Sequence, residues 1–108
     1  NDISYDEVFV HQLKLQAGKG DVVMTVSSSG DSENVVRAAG WARDNGLEVI
    51  SLTGFEGGRT SKLASVNLHV SADNYGVVED VHQSLMHLMG QYLRLTRMEE
   101  TLIRERKF

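Results

Sequence analysis

Four serines fall within six residues in Ser27-Ser28-Ser29-Gly30-Asp31-Ser32, directly after the apolar run Val22-Val23-Met24-Thr25-Val26. Hydroxyls and backbone amides gathered where a strand gives way to a helix suit a phosphate monoester. A helix start leaves N–H groups unpaired and carries the positive end of the helix dipole. Gly30 permits the sharp turn such a loop needs. No Gly-Lys-Ser/Thr follows, and no Gly-x-Gly-x-x-Gly is present, so neither a P-loop nor a dinucleotide fingerprint is spelled out. A small phosphorylated molecule therefore fits better than a nucleotide. The plain alternative is helix capping by Ser32 or Asp31, with the other serines filling the loop. Asp31 and Glu33 oppose an anion unless their carboxylates point away from it.

The second cluster lies on one predicted helix and consists of Glu79, His82 and His87. A carboxylate and an imidazole are suitable types for general acid–base proton transfer near neutral pH. Glu79 and His87 are eight residues apart, about 12 Å along a helix and about 80° around it, so they share a broad face without touching. The bland readings are a solvated first-turn acid for Glu79 and a packed or interface histidine for His87. His82 is read first as packed, and His11 and His69 as structural or solvated. A zinc site from Glu79 and His87 alone falls short of the three or four ligands expected.

The elements that must position these groups alternate between two periods. Residues 5–17 read as a helix with Val8, Phe9, Leu13 and Ala17 in phase, stopped by Gly18 and Gly20. Residues 22–26 and 49–53 read as strands buried on both faces, and 66–70 as a strand with one wetter face. Helices are expected over 33–45 and 77–97, with a short one within 60–65. The long helix would turn Val78, Val81, Leu85, Leu88, Met89, Tyr92 and Leu95 inward. The charged tail after residue 97 continues helical before fraying. Short connections in this order imply an α/β architecture, a parallel sheet flanked by helices in a Rossmann-like three-layer sandwich. Three strands are few for such a sheet, so further strands are expected from elsewhere. The long helix is apolar around more than one stripe, which points to self-association.

Composition sets the outer limits. The 108 residues suit one small domain or part of a larger one, and 11 Lys+Arg against 15 Asp+Glu leave a net charge of −4. That balance argues against a nucleic-acid-coating surface. The absence of cysteine rules out disulfides and thiol nucleophiles and fits a cytoplasmic location. No apolar run nears the roughly 20 residues of a membrane span. The chain starts at Asn1 with no signal-like segment after it, and we expect residues to precede it.

Gly20-Asp21-Val22-Val23-Met24, the serine loop with Glu33-Asn34-Val35, and Val49-Ile50-Ser51-Leu52-Thr53-Gly54 with Gly57-Gly58 together resemble the sugar isomerase (SIS) domain family. Within it the chain is most similar to the phosphoheptose isomerase branch, on Asn1-Asp2 and the final helix. The resemblance implies a five-stranded parallel sheet between helices, of which residues 1–108 would supply the C-terminal half. It implies substrate contact at Asn1, Asp2 and Glu79 and phosphate binding at Ser27, Ser28, Ser29 and Ser32. It makes His87 a zinc ligand and a catalytic acid or base, with Glu79 as base or second metal contact. The phosphoheptose branch usually has a glutamine where Glu79 stands, whereas other SIS isomerases have a glutamate. The implied activity is isomerisation of sedoheptulose 7-phosphate to D-glycero-D-manno-heptose 7-phosphate in heptose (lipopolysaccharide precursor) synthesis by a homotetramer. The chain alone is then expected to be inactive. The alternative is a non-catalytic phosphosugar-binding module with a regulatory or scaffolding role.

Overall fold

Glycine and asparagine punctuation, in a chain without proline, divides the protein into alternating strands and helices. The computed structural model describes residues 3–106. Asn1 and Asp2, expected to contact substrate, lie outside the described residues. After a 3-10 turn at Tyr5–Glu7, the elements run α1 (Val8–Gln16), β1 (Val22–Val26), α2 (Glu33–Asp44), β2 (Glu48–Thr53), α3 (Gly58–Leu63), β3 (Val66–His69), α4 (Tyr75–Thr96) and α5 (Glu100–Glu105). The strands form one parallel sheet in the order β1-β2-β3, with Val23 beside Val49, Thr25 beside Ser51 and Leu52 beside Leu68.

Consecutive neighbouring strands joined by crossovers of one hand place their helices on one face. That face carries the core: Ala39 and Ala42 of α2 pack on Val49, with Val23, Trp41, Leu47 and Leu63 around them. Small alanines let α2 approach the sheet closely. Helix α4 instead contacts β2, where Val78 is fully buried against Gly54. A Cβ on Gly54 would collide with the Val78 methyl groups.

Two expectations are corrected here. Strand β1 is not buried on both faces: Val22 is 56% exposed, and Met24 and Val26 are also exposed. It stands at the sheet edge, so among the described residues only β2 has strands on both sides. The long helix does not turn its apolar stripe inward along its length. Its buried residues are Val78 and His82, while Leu88 and Tyr92 are 64% and 65% exposed. Only its first turns reach the sheet. The ends also move slightly: Asn74 caps α4 through its side chain, which accepts from the Val77 N–H, so the helix begins before residue 77. The charged tail does form a short helix, α5, as expected.

Candidate functional site

The β1–α2 loop owes its shape to glycines in two successive connections. Gly30, Gly57 and Gly58 all have positive φ, at 69°, 93° and 62°. Gly30 and Gly58 lie in such close mutual approach that a Cβ on Gly30 would overlap the Gly57 carbonyl and one on Gly58 would overlap the Ser29 carbonyl. The two connections are also hydrogen-bonded. The Gly54 N–H donates to the Ser28 carbonyl at 2.7 Å and the Thr60 N–H to the Gly30 carbonyl at 2.9 Å. The serine loop is thus held by β2 and α3 as well as by its own strand.

Within the loop, Ser27 Oγ accepts from the Gly30 N–H and Ser29 Oγ from the Asp31 N–H, each at 3.1 Å. As acceptors there, both hydroxyls keep a proton to donate. Ser32 sits at the N-cap position of α2 without a side-chain cap bond. The capping alternative for Ser32 is therefore not realised; Asn34 Oδ1 takes the Val35 N–H at 2.9 Å, and the Glu33 and Asn34 amides are left for another acceptor.

Ser27, Ser28, Ser29 and Ser32 line one cavity of about 580 Å³, and its opposite wall is α4. Tyr75, Glu79, His82, Gln83 and Met86 form that wall, with Phe9 and Asn34 completing it. The structure therefore brings Glu79 to the serine loop. It does not bring His87 there: His87 is exposed and outside the cavity lining. Asn34, Gln83 and Tyr75 were missed as site residues. The spacing of Tyr75, Glu79, His82, Gln83 and Met86 is a helical stripe, and that stripe was the available signal. A larger groove, about 670 Å³, follows β1 and α1 past Phe9, Leu13, Val22 and Met24. It lacks the serine cluster, so the chemistry is assigned to the smaller cavity.

His82 is packed, as expected. Its Nε2 lies 2.9 Å from the Thr53 carbonyl. Because a carbonyl only accepts, Nε2 carries the proton of that bond. Its buried Nδ1 has no partner among the described residues. His82→Phe should lower stability by about 1–2 kcal/mol through the lost bond. His87→Phe, at an exposed position, should stay within about 0.5 kcal/mol. Urea denaturation of both variants checks the contrast, and equal losses would contradict it.

The charges near the loop are paired. Asp31 Oδ1 accepts from the Arg59 backbone N–H at 2.9 Å and from its Nε at 3.1 Å. The backbone bond from Arg59, then its guanidinium, keeps the Asp31 carboxyl below its ordinary pKa. Glu33 lies low for the same kind of reason, first through Arg37 and then Arg59.

No group of three or more His, Asp or Glu side chains is placed to hold a metal among the described residues. Glu79 and His87 do not fit a zinc site together, because only Glu79 reaches the cavity. No step below is routed through a metal.

The SIS domain profile matches residues 1–54. A phosphoheptose isomerase of Aliarcobacter butzleri is 38% identical over 93 residues, covering 86% of this chain and 49% of that protein. One from Helicobacter pylori is 35% identical over 89 residues, covering 82% and 46%. The chain thus spans about half the length of the curated relatives it matches. Among solved structures, a phosphoheptose isomerase from Neisseria gonorrhoeae superposes with a TM-score of 0.78 at 34% identity, covering 82% of this chain and 51% of that one. One from Francisella tularensis gives 0.76 at 28%, covering 82% and 48%. With the parallel sheet, the serine loop at the strand ends and the profile over half its residues in agreement, the chain belongs to the SIS domain family.

Proposed function

We propose that this chain carries the phosphate-gripping part of a phosphosugar isomerase, as the C-terminal half of one SIS domain. The observation that carries the reading is the cavity shared by the serine loop and Glu79. The substrate is a heptose phosphate: sedoheptulose 7-phosphate, interconverted with D-glycero-D-manno-heptose 7-phosphate. The names of the relatives support that class.

The phosphate is a dianion, and the loop answers it with donors. Ser27 and Ser29 offer hydroxyl protons, Ser28 and Ser32 add theirs, and the Glu33 and Asn34 amides that open α2 are further donors. With the phosphate anchored, the far end of an open-chain sugar lies toward α4. The Glu79 carboxylate takes the carbon-bound proton beside the carbonyl. An enediol forms, and the proton returns to the neighbouring carbon while a hydroxyl proton passes between the two oxygens. Starting material and product differ only in where those hydrogens sit, so no redox partner is needed.

His87 is assigned a catalytic or metal role in the completed site, reached through residues beyond this chain or from a neighbouring copy. The exposed Leu88, Tyr92 and Leu93 on the same helix support self-association. Asn1 and Asp2 are assigned to substrate contact.

Ser29→Ala in the assembled enzyme should raise KM for the heptose phosphate about tenfold, as expected for one lost charge-assisted bond. Its kcat should change little, because the phosphate is held equally before and during proton transfer. Steady-state kinetics with an NMR readout of product tests this. An unchanged KM would remove the phosphate from the loop.

A further inference from the structure

The serine loop carries two carboxylates in the wrong place for an anion site. Asp31 is two residues from Ser29, so at most about 7 Å of backbone separates them. That is inside a Debye length of about 8 Å at physiological salt. Glu33 opens α2 directly behind the loop. Left alone, both would repel a phosphate dianion and offset the donors of the loop.

Arg59 reaches both from α3. Its Nε lies 3.1 Å from Asp31 Oδ1, and one terminal nitrogen lies 3.2 Å from Glu33 Oε1. The other terminal nitrogen donates to the Asp31 carbonyl at 3.0 Å. Its backbone N–H also donates to Asp31. Arg37 adds a second cation to Glu33 at 2.8 Å but is divided with Glu7 at 2.6 Å. Arg59 is the cation bonded to Asp31.

These side chains are about half exposed, and exposed ion pairs contribute little to stability. Charge cancellation beside an anion site is a different matter, since it acts on the ligand without needing burial. We propose that Arg59 is a positioning residue that cancels the charges of Asp31 and Glu33, so that the serine loop accepts a phosphate dianion. This rests on the phosphate reading of the loop given above.

The test is a titration of inorganic phosphate into the 15N-labelled chain, following the Ser28, Ser29 and Gly30 amides at low and physiological salt. Arg59→Gln should weaken binding about fivefold at low salt and less at high salt. Arg59→Lys, which keeps the charge, should stay close to the parent. Adding Asp31→Asn and Glu33→Gln to Arg59→Gln should restore affinity, because the repulsion is gone. A purely structural clamp would not be rescued by removing its remaining partners, so failure of that rescue overturns the proposal. Equal affinity for Arg59→Gln and the parent overturns it as well. If the parent shows no phosphate-dependent shift at these amides, the phosphate reading itself falls, and this inference with it.

Discussion

Gly30→Ala should lower the stability of the chain by more than about 3 kcal/mol, a sum of backbone strain and overpacking. Gly30 has φ of 69°, and an added methyl would overlap the Gly57 carbonyl and press on Thr60 Oγ1 at 2.9 Å. Neither neighbour can yield cheaply. Gly57 is itself in the left-handed region, and Thr60 is fully buried with its N–H bonded to the Gly30 carbonyl. Gly46 provides the control: its φ is 76°, but a Cβ there meets nothing within 4 Å. Gly46→Ala should therefore show only the cost of the left-handed backbone, about 1 kcal/mol. Urea denaturation of the two variants separates strain from collision. A loss at Gly30 no larger than at Gly46 would mean that the two connections are not locked together as described. The consequence for function is direct, because the same contact sets where the serine hydroxyls point.

Glu79→Gln should reduce kcat of the assembled enzyme by about 10²- to 10⁴-fold, the usual contribution of a positioned base. The amide keeps the shape and can still hydrogen-bond, but it cannot take a proton from carbon. Glu79 is exposed on the cavity wall, with no hydrogen bond or ion pair among those described, so the fold should tolerate the change within about 0.5 kcal/mol. KM should move little, since the phosphate is proposed to bind at the serine loop and not at Glu79. Kinetics and proton–deuterium exchange at the substrate carbon together read the step. Retained turnover with retained exchange would make Glu79 a substrate contact and give proton transfer to another group. Because the phosphoheptose branch usually carries glutamine here, turnover of the heptose phosphate kept by Glu79→Gln would place the base outside Glu79, whereas its loss would set this chain apart from that branch.

Local patterns were legible wherever a single element decides its own form. The β-branched runs at 22–26 and 49–53 became neighbouring parallel strands, although the first lies exposed at the sheet edge. The serine loop was recognisable because hydroxyls and a glycine between a strand and a helix have few other uses. Ala39 and Ala42 are the residues of α2 that meet the sheet at Val49.

Other features depended on neighbours distant in sequence. Nothing local to Arg59 says that it meets Asp31, 28 residues earlier; that pairing exists only because α3 starts against the serine loop. The reach of α4 could not be read from its apolar content. A helical stripe states which side is greasy, not how much partner surface lies along it, and here the sheet ends after Val78 and His82. The same packing divided Glu79 from His87. Spacing on the helix placed both on one broad face, but the serine loop lies over the first turns alone, so one residue enters the cavity and the other faces outward. Chain chemistry supplied the hydroxyls, the carboxylate and the strands; long-range contact chose which of them meet.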